Sequence, residues 1–311
     1  MTRVRPHRIA PVRRSAHQPR AGRRIRGCDG PAPAPRSLGL VVNLRYPENA
    51  EVVEATRRHS EEADCMVLVA DANAFVDRRD DYVNLVRGRR LDGLLIATLM
   101  PTADDLLAIA RERLPFVLMS RRIPWLAPAV AADEAAGPGV GVDHLVGLGH
   151  RRIAYVTGPG PADTVQRRLD GFRHAVRRAG LELRPDYVAE SSADPAEGPA
   201  RAMARLLRLE PRPTAAVLWT VGDAAGALYA VRREGLSVPR DLSLVAINDA
   251  PNAPYLGPSL TVVRMPLDEL AARAVSRLFD VVAGRAVVGD VVIATPPTLL
   301  ERSSTAPPPA P

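Results

Sequence analysis

Short apolar runs alternate with amphipathic stretches along the chain from residue 37 onward, and the alternation runs its course twice. In the first round LGLVVNL at 38–44, MVLVA at 66–70, LLIA at 94–97 and FVLM at 116–119 carry strand character. Helical stretches at 50–63, 81–90 and 104–113 separate them. A strand that is apolar throughout is covered on both faces, and helices on both sides of a parallel sheet supply that cover. The second round offers IAYV at 153–156, a weak strand at 187–190, AAVL at 215–218 and LSLVAI at 242–247. Helices at 167–179, 199–209 and 224–234 lie between them, the first closed by Gly180 and the last by Gly235, the residue that most readily ends a helix. A short crossing segment at 261–264 and a long helix at 267–283 complete the body. The expectation is an α/β protein of two similar lobes, each a parallel sheet with helices packed on it. Open sheets of this kind bind ligands outside the carboxyl ends of their strands. That rule places candidate residues at 43–45, 70–71, 97–98, 157–158, 219–220 and 248–249.

The first 36 residues have a different texture. They hold ten Arg against the single acid Asp29, with six Pro and only Val4, Ile9, Val12 and Ile25 as large aliphatics. Such a segment buries too little apolar surface to offset the entropy of ordering it, so it reads as a disordered leader. Of the formal charge of +7, the leader accounts for +9 and leaves the body at −2. All 42 basic residues are Arg, which with the Ala and Pro load reflects a GC-rich genome more than nucleic-acid binding.

Several classes fall away on the same reading. Cys28 and Cys65 make neither a disulfide framework nor a metal-ligand spacing, and no cofactor is expected. No apolar stretch has the length of a secretory signal or a membrane span, which suggests a cytoplasmic protein with no membrane partner. His144 and His150 have no Ser or Cys nucleophile at a recognisable spacing, so no enzyme is expected. GPGPAD at 158–163 has glycines, but its prolines remove the backbone donors a phosphate loop needs.

HLVGLGHRRIAYVTGP at 144–159, followed by RRLDGFRHAVRRAGL at 167–181, resembles the ligand-binding core of LacI/GalR-type transcriptional regulators. PTAAVL at 213–218, GLSVPRDLSLVAIND at 235–249 and PSLTVVRMPLDELAARAV at 258–275 extend the likeness in the same order and spacing. The resemblance covers roughly 38–307 and implies two Rossmann-like lobes of the periplasmic binding protein type I kind, joined by three crossovers, with a small ligand in the cleft. It divides the chain into the leader 1–36, a first lobe of 37–152 plus about 265–288, a second lobe of 153–260 plus about 289–303, and a frayed Pro-rich tail at 304–311.

Carried onto this chain, the resemblance puts at Arg168 the arginine that binds ligand hydroxyl or carboxylate oxygens; its neighbour Arg167 reads as surface. Loss of Arg168 is then expected to abolish binding and leave stability nearly unchanged. Asn248 and Asp249 stand where many relatives carry two aspartates, so Asn248 is the expected contact and Asp249 a contact or a turn cap. Thr220 and Val221 stand where relatives keep Asn-Asp. Trp219 and Asp223 compensate if the indole stacks on a sugar and the acid takes its hydroxyls; the alternative for Trp219 is packing between lobes. Asn43, Arg45 and Tyr46 form the first lobe's lip. Asp133 and Glu134 fall near the hinge or cap the helix that follows. His144 and His150 are structural in the motif.

Members of this family begin with a helix-turn-helix that reads operator DNA, and the leader is too short and too rich in Pro to resemble one. The resemblance therefore implies the effector-binding core of a regulator, acting as a repressor, that senses a small polar ligand such as a sugar. Its partners would be operator DNA, if the intact gene product supplies the reader, and a second copy of itself. The homodimer patch is expected on the helices at 50–63 and 81–90. The alternative is a stand-alone cytoplasmic sensor without a DNA-binding domain.

Overall fold

β1 (Ser37–Val42) is buried at every residue after the first, as a strand covered on both faces must be. The computed structural model describes residues 36–192, 194 and 197–309; the leader expected to be disordered lies outside the described residues. After β1 come α1 (Asn49–Glu61), β2 (Met66–Asp71), α2 (Ala72–Asp77), α3 (Arg79–Arg87), β3 (Gly93–Ala97), α4 (Ala103–Arg111), β4 (Phe116–Met119) and β5 (Ala129–Ala131). The next set is α5 (Ala136–Gly147), β6 (Ile153–Thr157), α6 (Asp163–Arg178), β7 (Val188–Glu190), α7 (Glu197–Leu207), β8 (Ala215–Leu218), α8 (Ala224–Arg233), β9 (Ser243–Ile247) and β10 (Thr261–Arg264). α9 (Leu267–Val282), β11 (Val291–Val292) and β12 (Thr298–Leu300) close the chain.

Among the described residues these strands form two six-stranded sheets, ordered β11-β5-β4-β3-β1-β2 and β12-β10-β9-β8-β6-β7. Every pairing is parallel except β10 with β12. The fold is thus α/β with two Rossmann-like lobes, and the chain passes between them three times.

The crossings differ from the sequence expectation in position. α5 lies on β8, β9 and β10, so the first crossing falls at 132–135 and not at 152. Small residues make this packing possible: a Cβ at Gly141 would stand 3.4 Å from Val217 and Val245 side chains. α9 returns to β3, β4 and β5 and packs along α1. β11 then pairs in parallel with β5, so the third crossing comes after Val292 and not near 289. The tail from 304 is docked through its first residues, not frayed. Ser304 is fully buried, donates to Leu244 O at 2.6 Å and accepts from Thr261 N at 2.8 Å.

The core is continuous across the crossings. Leu40, Val42 and Val130 of the first sheet share one buried cluster with Val217 and Ile247 of the second and with Val275 of α9. The outer faces have separate cores, around Phe75 and Ile109 in the first lobe and Met203 and Leu244 in the second.

Candidate functional site

Between the carboxyl ends of the two sheets lies a cavity of about 670 Å³, a size that takes a small molecule. Asn43, Thr98 and Arg121 line it from the first lobe, and Arg168, Trp219, Thr220 and Asn248 from the second. An apolar rim of Leu99, Met100 and Pro101 faces Pro159 and Pro161 across the opening. The rim segment is fixed at its far end by a reciprocal cap on α4: Asp105 N donates to Thr102 Oγ1 at 3.1 Å and Thr102 N to Asp105 Oδ2 at 2.9 Å. Arg121 holds the same segment by donating from Nη1 to Pro101 O at 2.5 Å and Leu99 O at 3.4 Å.

Arg168 projects from the buried face of α6, the stripe that also carries Thr164, Val165 and Phe172. Its Nε donates to Glu134 Oε2 at 2.7 Å and its Nη1 to Trp219 O at 2.8 Å. The guanidinium also stands 4.4 Å from the Trp219 ring centroid. The two side chains of the Arg168–Glu134 pair are only 5% and 2% exposed, so the charges hold each other in a dry environment. Glu134 is therefore the counter-ion of Arg168, and capping falls to Asp133, whose Oδ1 accepts from Ala135 N at 3.1 Å. Trp219 is wedged as well as cavity-lining, because a Cβ at Gly158 would meet its ring at 2.6 Å; only glycine admits that approach.

Asn248 takes a left-handed backbone, φ 65°, which asparagine tolerates better than most residues. Its N donates to Val263 O at 2.9 Å, while Oδ1 is buried without a hydrogen-bond partner. Both carboxylate oxygens of Asp223 are likewise buried without a side-chain partner, and burial outweighs the downward pull of the Thr220 hydroxyl and Gly222 backbone on the Glu48 carboxyl. Glu48 also lines the cavity and was not legible in the sequence. It reaches over from the first lobe: a Cβ at Gly222 would stand 3.3 Å from Glu48 Oε2 and 2.8 Å from Tyr46 Cδ1. Burial pushes the Glu48 carboxyl up. Burial and the nearby Glu48 push Asp223 up to about 8, against the pull of Arg168. Burial, Asp223 and Glu48 together raise the Tyr46 hydroxyl to about 12.

Other expected residues sit elsewhere. Arg45 is exposed and does not line the cavity; its N is tied back to Asn43 Oδ1 at 3.1 Å. Asp223 stands behind the wall at 1% exposure. Asp249 is outside the cavity: its Oδ1 accepts from Ala250 N at 3.0 Å, as the turn-cap alternative has it, and its carboxylate accepts from Arg264 at 2.7 Å and Arg302 at 3.1 Å. Against the upward push of burial, those two arginines hold its carboxyl below the usual range. Arg167, expected at the surface, bonds across the cleft to Ala132 O at 3.2 Å and Ser120 O at 3.1 Å. Thr164 Oγ1 also donates to Ser120 O, so the first turns of α6 latch the second lobe to the first. His150 is buried with Nδ1 2.9 Å from Thr214 Oγ1 and Nε2 2.9 Å from Ala306 O. His144 contacts Thr305 at 3.0 Å. Both histidines anchor the chain's last segment, away from the cavity.

A family model for the periplasmic binding protein-like domain matches residues 142–305. The HTH-type transcriptional repressor PurR of Escherichia coli O1:K1 is 30% identical to this chain over 282 residues, 87% of this chain and 80% of that protein. The PurR of Klebsiella pneumoniae is 28% identical over the same length. Among solved structures, a LacI family transcriptional regulator from Mycobacterium smegmatis aligns with a TM-score of 0.79 at 32% identity, covering 88% of this chain and 99% of that one. A LacI transcriptional regulator from a Rhodococcus species aligns with a TM-score of 0.76 at 28% identity, covering 88% and 100%.

Proposed function

The chain belongs to the LacI family of transcriptional regulators and carries that family's periplasmic-binding-protein-like core; on that premise we propose that its cleft binds a small polar effector and that occupancy sets a repressor's hold on operator DNA. The observation that carries the reading is the cavity itself. It lies at the carboxyl ends of both sheets, and its wall holds buried polar groups on Glu48, Thr220 and Asn248, with Asn248 Oδ1 left without a hydrogen-bond partner among the described residues. Unpaired buried polar groups are costly, and a ligand that meets them recovers the cost. A sugar is the first candidate, since hydroxyls can donate to these acceptors while the apolar rim covers a ring face. The cross-cleft bonds of Arg167 and Thr164 supply the element that opening would break and closure would make, a hinge transition of the usual kind. The DNA-reading role and the repressor sense rest on the family alone. No helix among the described residues is long and apolar enough to cross a membrane.

The reading is tested by a thermal-shift screen of the full chain against sugars, sugar phosphates, purines and small carboxylates. A ligand that binds only the native state raises the midpoint by mass action, and no shift from any class would count against an effector role.

We also propose a homodimer, with its patch placed differently from the sequence expectation. α1 packs one face on α9 and pairs its outward charges Glu54, Arg57 and Glu61 among themselves. Beside it, the edge strand β2 exposes large apolar side chains, Met66 at 74% and Leu68 at 49%. An edge strand with exposed large apolar side chains is a surface proteins normally cover. Leu68→Arg is expected to weaken self-association by about tenfold or more, because it buries an unpaired charge, as read by sedimentation at micromolar concentration. An unchanged sedimentation coefficient in a dimeric protein would move the patch elsewhere.

A further inference from the structure

The unpartnered groups of the cleft are unevenly divided by charge, and the imbalance bears on the effector's chemistry. Arg168 is already neutralised by Glu134 at 2.7 Å. Arg121, the other cation lining the cavity, donates from Nη1 to the Leu99 and Pro101 carbonyls and has Asp163 as its acidic neighbour. Glu48 and Asp223, 4% and 1% exposed, make no ion pair among the described residues; their hydrogen-bonding neighbours are neutral, the Thr220 hydroxyl and Gly222 backbone for Glu48 and the Thr220 backbone for Asp223. Thr220, 5% exposed, lines the cavity beside them. The two acids come from opposite lobes and are brought together by the approach of Gly222 to Glu48. Set against Arg121, the cleft holds two carboxyls whose ionised forms burial disfavours, and a cation between them would restore those forms.

We propose that the effector carries a protonated amine, seated on Glu48 with Thr220 beside it and Asp223 behind, so that amino sugars, amino alcohols and other small ammonium compounds are favoured over neutral sugars. The proposal rests on the effector-binding reading of the same cleft and narrows it. A cation placed there would supply the missing counter-charge to both acids at once, across the lobe boundary, and would favour the closed arrangement that assembles them. The protein without ligand bears the cost of the arrangement, as binding sites commonly do.

The acids make the prediction measurable even before a ligand is known. Their carboxyls are raised above the ordinary range by burial, with Tyr46, Tyr155 and Arg168 as the other titratable groups facing Asp223. Between the ordinary carboxylate range and about 8, the folded protein keeps protons that the unfolded chain has released. Across that window these groups therefore lower stability as pH rises, and the loss is complete above it. Neutral isosteres remove the loss.

The experiment compares wild type, Glu48→Gln and Asp223→Asn, full length, by thermal shift and calorimetry at pH about 6 and about 8.5. The probes are amines that stay protonated throughout, each with a neutral partner: glucamine with sorbitol, cyclohexylamine with cyclohexanol, putrescine with 1,4-butanediol. Without ligand, both variants are expected to melt higher than wild type at the upper pH, with the gap narrowing at the lower. At least one amine is expected to bind wild type about tenfold or more tightly than its neutral partner and to lose about ten- to a hundredfold in Glu48→Gln. Variants that melt lower than wild type at the upper pH would show the acids already satisfied and overturn the proposal. So would an amine whose affinity ignores Glu48→Gln. Binding by neutral partners or sugars alone would overturn the amine assignment and leave the effector reading standing; absence of binding by every amine would likewise overturn the amine assignment, and the effector reading falls only if sugars, sugar phosphates, purines and carboxylates fail as well.

Discussion

Arg168→Ala is expected to lower the unfolding free energy by about 3–5 kcal/mol, because it strands Glu134 as an uncompensated buried charge. Effector binding should disappear with it. From sequence, Arg168 is expected to be a ligand contact whose loss spares stability, and the geometry corrects that. The guanidinium links Glu134 of the first crossing, the Trp219 carbonyl and the Trp219 ring, so it organises the cleft wall before any ligand arrives. Removing both members of the pair together should be much milder than removing one. Arg168→Met with Glu134→Leu leaves no charge behind, and such replacements are often neutral or stabilising. Denaturant unfolding of the two singles and the double decides the matter. Strict additivity would mean that the pair contributes nothing as a pair.

Gly171→Ala is expected to cost about 3 kcal/mol, at the upper end of overpacking effects, though it adds a single methyl. A Cβ there would stand 2.1 Å from Ala135 O and 2.7 Å from its carbonyl carbon. Both are backbone atoms of the first crossing, and no rotamer change relieves the clash. α6 would have to move off the crossing, and Arg168 lies on the same helix three residues earlier. The variant should therefore lose effector affinity as well, and a protein of this length should melt about 2–4 °C lower for each kcal/mol. Gly139→Ala is the internal control, since nothing lies within 4 Å of a Cβ there. Equal melting temperatures for Gly171→Ala and wild type would mean that α6 and the crossing are not in the contact described.

Much of the fold was legible because the central strands are apolar through their middles and several helices are closed by glycine. β1, β3, β4, β6, β8 and β9 carry that pattern, and periodicity alone separates such strands from amphipathic helices. The strands the pattern left out are β5, β11 and β12, two or three residues each. Nothing so short has a period, and β11 is a strand only because β5 is there to pair with it. The crossings were misplaced for a related reason. α5 reads as the end of the first lobe in the chain, yet its Gly and Pro residues fit it to the second sheet, and only packing reveals that.

In the site, Arg168, Trp219, Thr220, Asn248 and Asn43 reach the cavity as positions at strand ends or the head of a helix allow. Glu48 was missed because it lies in a turn after β1 with no motif around it. Its burial comes from Gly222 in the other lobe, a contact no local signal announces. Asp249 keeps the turn-cap alternative through Ala250 N, but its two arginine partners, like the cross-cleft bonds of Arg167, were not legible for the same reason. The partners that decide their roles, Arg302 and Arg264 for one and Ser120 and Ala132 for the other, are distant in sequence.

The most direct test of an effector-binding cleft uses a variant that should keep the fold. Thr220→Val deletes a buried hydroxyl that lines the cavity beside Glu48 and keeps the side chain's shape, so it should change the ligand-free stability by no more than about 1 kcal/mol. Wild type titrated with a compound from the thermal-shift screen should show a dose-dependent rise, about 2.7 kcal/mol of added stability at a hundred times Kd, and Thr220→Val should need several-fold more ligand for the same rise. A compound that stabilises wild type and Thr220→Val identically, and Arg168→Lys as well, would bind outside this cleft and contradict the assignment.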